Sequence, residues 1–110
     1  MHIENTLVGD ITVIRPVAQS LDASNIAEFR AQIDPFIRDG SRILLELDRI
    51  EFVDSAGVGT LIFCLRHLTE RQGRLQLCAL NRPVKALFDL MRMHRVFEIH
   101  PDRESALRTA

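Results

Sequence analysis

The sequence predicts an α/β domain with a mixed, mostly parallel sheet, in the order ββαβαβαβα. Three observations carry this reading. Short β-prone runs alternate with segments of helical periodicity, the chain opens with two such runs split only by Gly9-Asp10, and glycines stand where the helical segments stop. The length of 110 residues, 46% hydrophobic and 26% charged, suits one globular domain over 1–110 with an ordinary core.

Ile3 to Val8 and Ile11 to Val17 read as a hairpin, because Gly9-Asp10 is a dipeptide that accepts positive φ. From Asp22 onward Ile26, Phe29, Ile33, Phe36 and Ile37 recur at helical spacing. Asp22 is expected to cap this first helix and Gly40 to end it. Ile43 to Leu47 is apolar enough for a central strand, continued by Ile50, Phe52 and Val53 up to Asp54. Val58, Leu61, Ile62, Leu65 and Leu68 form the stripe of a second helix from about Ser55 to Gln72, stopped by Gly73. Leu75 to Leu80 returns to strand. Asn81 and Pro83 are a cap and first-turn pair for a third helix carrying Val84, Leu87, Phe88 and Met91. Val96 to Ile99 is a last strand, and Pro101-Asp102 starts a terminal helix. Strands joined through helices run parallel by right-handed crossovers, so the loops holding Asp22, Asp54-Ser55 and Asn81 are expected to meet at the carboxyl edge of the sheet.

Composition narrows the function. Fourteen Lys and Arg against fifteen Asp and Glu give a net charge of −1 with no basic block, which argues against direct nucleic-acid binding. No stretch has the form of a secretory leader or a membrane span, so a cytoplasmic protein is expected. Cys64 and Cys78 are not in a C-x-x-C unit and read as buried thiols. His2, His67, His94 and His100 have no metal-ligand spacing, and no cofactor motif occurs: Gly57-Val58-Gly59 is too short for a dinucleotide fingerprint. Ser55 lacks the first glycine of a G-x-S-x-G elbow, so an enzyme is not expected.

The most informative segment is Phe52-Val53-Asp54-Ser55-Ala56-Gly57-Val58-Gly59, where a hydrophobic strand gives way to a helix through a small polar turn. A phosphate on Ser55 would meet the free amides and positive dipole end of the second helix, with Asp54 opposing it. Serine is also common at helix starts for capping alone. On the second helix Phe63 falls opposite the core stripe, with Gly59, Arg66 and Glu70. It is expected to be partly exposed, as an aromatic anchor for a partner or as a side chain covered by a neighbouring loop.

The segment resembles the STAS domain family and, within it, the short anti-sigma factor antagonists. The resemblance rests on Leu21-Asp22, Leu45-Glu46-Leu47, Phe52 through Gly59, Pro83-Val84 to Leu87-Phe88, and Val96-Phe97-Glu98-Ile99. It implies a STAS-like fold and a partner-switching protein; the short length and the lack of an obvious oligomerisation segment point to a monomer. Unphosphorylated, such a protein binds an anti-sigma factor that is also a serine kinase; phosphorylation at the position of Ser55 ends the interaction, and a serine phosphatase restores it. The partner-facing residues would be Asp22, Asp54, Ser55, Ala56, Gly57, Gly59, Phe63 and Arg66. Three positions depart from the common pattern: Gln19-Ser20 replace Gly-Glu, Ala56 replaces a second hydroxyl residue, and Arg92-Met93 replace Gly-Leu. The alternatives are a STAS module in a partner-switching pathway without a sigma factor, or one that binds a nucleotide or other small ligand. A structural subunit of a larger signalling assembly would instead self-associate.

Overall fold

The computed structural model describes residues 1–109. Strands β1 (His2–Val8) and β2 (Ile11–Val17) form the antiparallel hairpin, with Gly9 at φ +62° in its turn. There follow β3 (Ser20–Leu21), α1 (Ile26–Arg38), β4 (Arg42–Glu46), β5 (Phe52–Val53), α2 (Ser55–Glu70), β6 (Arg74–Cys78), α3 (Arg82–Leu90), β7 (Glu98–His100) and α4 (Arg103–Arg108). The main sheet has the order β1-β2-β4-β6-β7, parallel apart from the hairpin.

Helices α1, α2 and α3 cover one face. Phe29, Ile33 and Ile37 of α1, Val58, Leu61, Cys64 and Leu68 of α2, and Val84 and Phe88 of α3 pack onto Ile14, Ile43, Leu45, Leu75 and Leu77. Each such side chain, fully withdrawn from water, contributes about 1.5–3 kcal/mol. The opposite face is thinner: Ile11, Val13, Leu44 and Cys78 are covered by Ala106 of the short α4. The two cysteines therefore lie on opposite sides of the sheet, both buried and unpaired, and burial pushes each thiol up to about 12.

The architecture agrees with the expected one, and the differences are local. Two further strands, β3 and β5, pair in parallel with each other as a separate ladder, Ser20 opposite Phe52 and Leu21 opposite Val53. They exist because the apolar run after Ile43 is interrupted. The Ile50 amide bonds back to the Leu47 carbonyl at 3.1 Å, turning the chain at Asp48-Arg49 and starting a new strand in a new direction.

The first helix begins at Ile26, not at Asp22. Asn25 accepts the Asp22 amide through its side-chain oxygen (3.0 Å) and donates Nδ2 to the Ser20 carbonyl (2.7 Å), folding 20–25 into a polar turn. Such side-chain bonds compete with helix formation. Gly40 does close the helix, at φ +64° with its amide on the Ile37 carbonyl. The last strand is displaced to Glu98–His100, because Val96 and Phe97 both bond to the Met93 carbonyl and extend a 3-10 turn over Met93–Arg95. Met91, on the apolar side expected of the third helix, is exposed, and Met93 just beyond it is buried.

Candidate functional site: the turn at Ser55

Ser55 opens α2 and is exposed. Asp54 precedes it as the cap: one carboxylate oxygen accepts the Gly57 amide at 2.8 Å, satisfying a donor that has no partner within the helix. The other accepts the Ala23 amide at 3.1 Å. One side chain thus fastens two loops that are thirty-one positions apart in sequence. The Asp54 amide closes the same junction on the Leu21 carbonyl at 3.4 Å, beside the β3–β5 ladder.

Asp22 is part of this junction in a role other than the expected cap. Its carboxylate accepts the Ser24 hydroxyl (2.5 Å), the Ser24 amide (2.9 Å) and the Ser20 hydroxyl (2.7 Å). These donors stabilise the charged form and hold its carboxyl below the ordinary value. The loop that holds Asp22 and the Asp54-Ser55 turn therefore do come together, joined on either side of Asp22 at Leu21 and Ala23.

Asn81 also reaches this edge. It precedes α3, yet its side chain makes no capping bond; Nδ2 donates to the carbonyls of Asp48 (2.7 Å) and Ile50 (2.9 Å). The Arg15 guanidinium grips Asp48 from the other side, Nε at 2.8 Å and Nη2 at 2.7 Å, while Nη1 holds Glu4 at 2.9 Å. That fork pairing lowers the Asp48 carboxyl below its usual range and raises the guanidinium. The loop that delivers β5 and Ser55 is clamped at both of its flanks.

The remaining candidates divide by exposure. Gly59 and Arg66 lie on the outer face of α2, and Ala56 is half-buried. Gly57 is buried: a Cβ there would stand 2.2 Å from the Leu21 carbonyl oxygen and 2.8 Å from Val53, so its role is the close approach of α2 to β3. Phe63 is half-buried. Its cover is the Arg30 guanidinium of α1, 3.9 Å above the ring, with His67 at 4.1 Å on its own helix, rather than a loop.

Phe52 was not singled out from the sequence, yet it is the exposed aromatic nearest Ser55 in the chain, 56% accessible. The signal was available in the alternation of Glu51-Phe52-Val53: with Val53 buried, Phe52 faces outward.

This strand–turn–helix junction, set on a mixed sheet behind a hairpin, defines the class. The STAS domain family model matches residues 2–106, and the chain belongs to that family. Among its relatives, BtrV of Bordetella bronchiseptica, named for anti-sigma factor antagonism, is 31% identical over 97 residues, covering 87% of this chain and 81% of BtrV. The fold superposes on the anti-sigma-factor antagonist (STAS) domain protein of Planctomyces limnophilus with a TM-score of 0.86 at 20% identity, over 97% of this chain and 96% of that one. The Bacillus cell fate determinant SpoIIAA in its phosphorylated form gives 0.72 at 24% identity, over 99% and 100%.

Proposed function

We propose that this chain is an anti-sigma factor antagonist that binds an anti-sigma factor with serine kinase activity and is released when that kinase phosphorylates Ser55. The observation that carries the reading is the exposed Ser55 hydroxyl on the first residue of α2, held in a junction that Asp54 locks to the Asp22 loop. The name of BtrV and the existence of SpoIIAA in a phosphorylated form support it.

The physical consequence of phosphorylation at this spot is local. The free amides of the helix start attract the phosphate and the neighbouring Asp54 and Asp22 carboxylates repel it, so the fold tolerates the modification. The added charge of about −1.5 to −2 instead alters whatever is docked over the turn. The docking face comprises Asp22, Asp54, Ser55, Ala56, Gly59 and Arg66, with Phe52 as its exposed aromatic and Phe63 at its margin. Gly57 acts from beneath by setting the helix in place. Both Asp54 oxygens already accept backbone amides, which suits a binding surface in which Ser55 is a substrate, not a nucleophile. A serine phosphatase would return the chain to its binding form, in the cytoplasm, with the chain acting as a monomer. Among the described residues no helix is long and apolar enough to cross a membrane.

The test is a comparison of proteins recovered from native cytosol by wild type, Ser55→Ala and Ser55→Asp. A serine kinase retained by the first two and lost by Ser55→Asp supports the reading. Identical partners on all three would reduce Ser55 to a helix start.

A further inference from the structure

A second surface lies at the other end of α3. The helix starts at the carboxyl edge beside Asn81 and runs back about 13 Å, so that its last turn and the following 3-10 turn sit near the opposite edge of the sheet, where β7 begins. In the segment Leu90–Val96 six of seven residues are exposed and Met93 alone is buried. Leu90 is 82% accessible, Met91 42% and Val96 43%; they are three of the six large exposed hydrophobic side chains described. An apolar cluster this local is a feature of binding surfaces.

Its charge is as distinctive. From Arg82 to Phe97 there are four basic residues, Arg82, Lys85, Arg92 and Arg95, and one acidic residue, Asp89, a net +3. The whole chain carries −1, so the rest of the molecule carries −4. The single carboxylate is engaged by Lys85 at 2.8 Å, leaving Arg92 and Arg95 without an acidic neighbour in the segment. Arg92 also stands at φ +56°, a position that favours glycine, so a long cation is displayed where the backbone alone would prefer no side chain. The corner is held from beneath by buried Met93 and by the stacked rings of Phe88 and Phe97, 6.4 Å apart. A cavity of about 430 Å³ runs from His94 at this corner along Lys85 and Asp89 of α3 to Leu80, Ile99, His100 and Pro101 at the carboxyl ends of β6 and β7.

We infer that the Leu90–Val96 corner and its adjoining cavity form a docking site for an acidic amphipathic segment of a protein partner. Carboxylates of the segment pair with Arg92 and Arg95, its apolar ridge covers Leu90, Met91 and Val96, and one large apolar side chain enters the cavity. The apolar ridge and pocket favour a protein segment over nucleic acid, which needs more phosphate contacts than these few cations supply. They also favour it over a membrane, since the exposed apolar groups form a compact corner and not the long stripe of an interfacial helix. The Leu90–Val96 corner follows the end of α3 away from Asn81, and neither it nor the cavity lining includes a residue of the Ser55 turn. Occupancy is therefore expected to be independent of the phosphorylation state: a kinase at the turn and a second partner at the corner can be held together.

The test uses the isotopically labelled full chain and a synthetic helical peptide with a leucine and phenylalanine ridge flanked by glutamates. Backbone amide shifts confined to residues 80–101 are expected, saturable, unchanged by Ser55→Asp, and weakened about tenfold or more by the Arg92→Glu, Arg95→Glu double variant. The same peptide with lysines in place of glutamates is expected not to bind. Absence of saturable shifts, equal binding of the lysine peptide, or selective binding of phosphatidylglycerol vesicles or duplex DNA at the corner would each overturn the inference. Because Ser55→Asp is a control here, failure at this corner leaves the reading of the Ser55 turn untouched, and failure of that reading leaves this one.

Discussion

Two helices start at the same edge of the sheet behind residues with the same sequence signature, and the structure uses them differently. Asp54 before α2 turns its carboxylate inward to its own helix and sideways to Ala23. Asn81 before α3 leaves its helix amides alone and spends its side chain on the Asp48 and Ile50 carbonyls. The chemistry explains the difference. A carboxylate can only accept, which matches unpaired amides, whereas an amide can donate twice, which matches two carbonyls stranded by the turn at Asp48-Arg49. Asp54 is a cap that also joins loops; Asn81 is a loop clamp that happens to precede a helix.

The largest effect that would break the arrangement is at neither residue but at the glycine that lets α2 approach β3. Gly57→Ala forces a Cβ against the Leu21 carbonyl oxygen and is expected to lower unfolding stability by about 3 kcal/mol, read as a lower urea midpoint. An unchanged midpoint would mean that the close approach is not rigid.

Exchanging the two edge residues sharpens the contrast directly. Asn81→Asp removes the double donor and sets a carboxylate against two carbonyl oxygens, an expected loss of about 2 kcal/mol. Asp54→Asn keeps one acceptor for the Gly57 amide and should lose about 0.5–1 kcal/mol. Equal losses in the two variants, measured by denaturant titration, would show that both act as ordinary caps.

The smallest effect is a pH dependence shared by the two neighbouring loops. The Asp48 carboxyl is lowered by Arg15, and that of Asp22 by the Ser24 and Ser20 hydroxyls. Carboxyls lowered on folding contribute stability that is fully present above the ordinary carboxylate value and is lost as pH falls through their folded values. Thermal midpoints are therefore expected to be flat from neutrality to about pH 5 and to decline below about pH 4. In Arg15→Leu the Asp48 part of that acid decline should shrink. Both groups are solvent-accessible, so salt should blunt the effect.

Much of this was legible from residue order, and the misses share a cause. Hairpin, sheet polarity, the α2 start at Ser55 and the meeting of Asp22 with Asp54-Ser55 follow from periodicity and turn chemistry, which are local. The late start of α1 comes from Asn25 bonding within its own turn in competition with the helix, whereas the β3–β5 ladder and the work of Asn81 depend on backbone groups that come near only after folding. Ser20 and Phe52 share no local pattern that announces pairing; two residues each are too few for alternation to register. Phe63 is partly exposed as expected, but it packs at the margin of the core and the Arg30 that covers it belongs to another helix. At the corner after α3, Arg92-Met93 stood out as a departure from the family pattern before the exposure of its neighbours gave that departure a meaning.

The placement of the two thiols gives the molecule an internal record of its own opening. Cys64, on α2, is buried in the core between the helices and the sheet, Cys78 lies beneath α4, and neither has appreciable thiolate while buried. Alkylation of either therefore reports a specific layer lifting from the sheet, and the ratio of the two rates measures whether the thin side peels before the thick one or both part together.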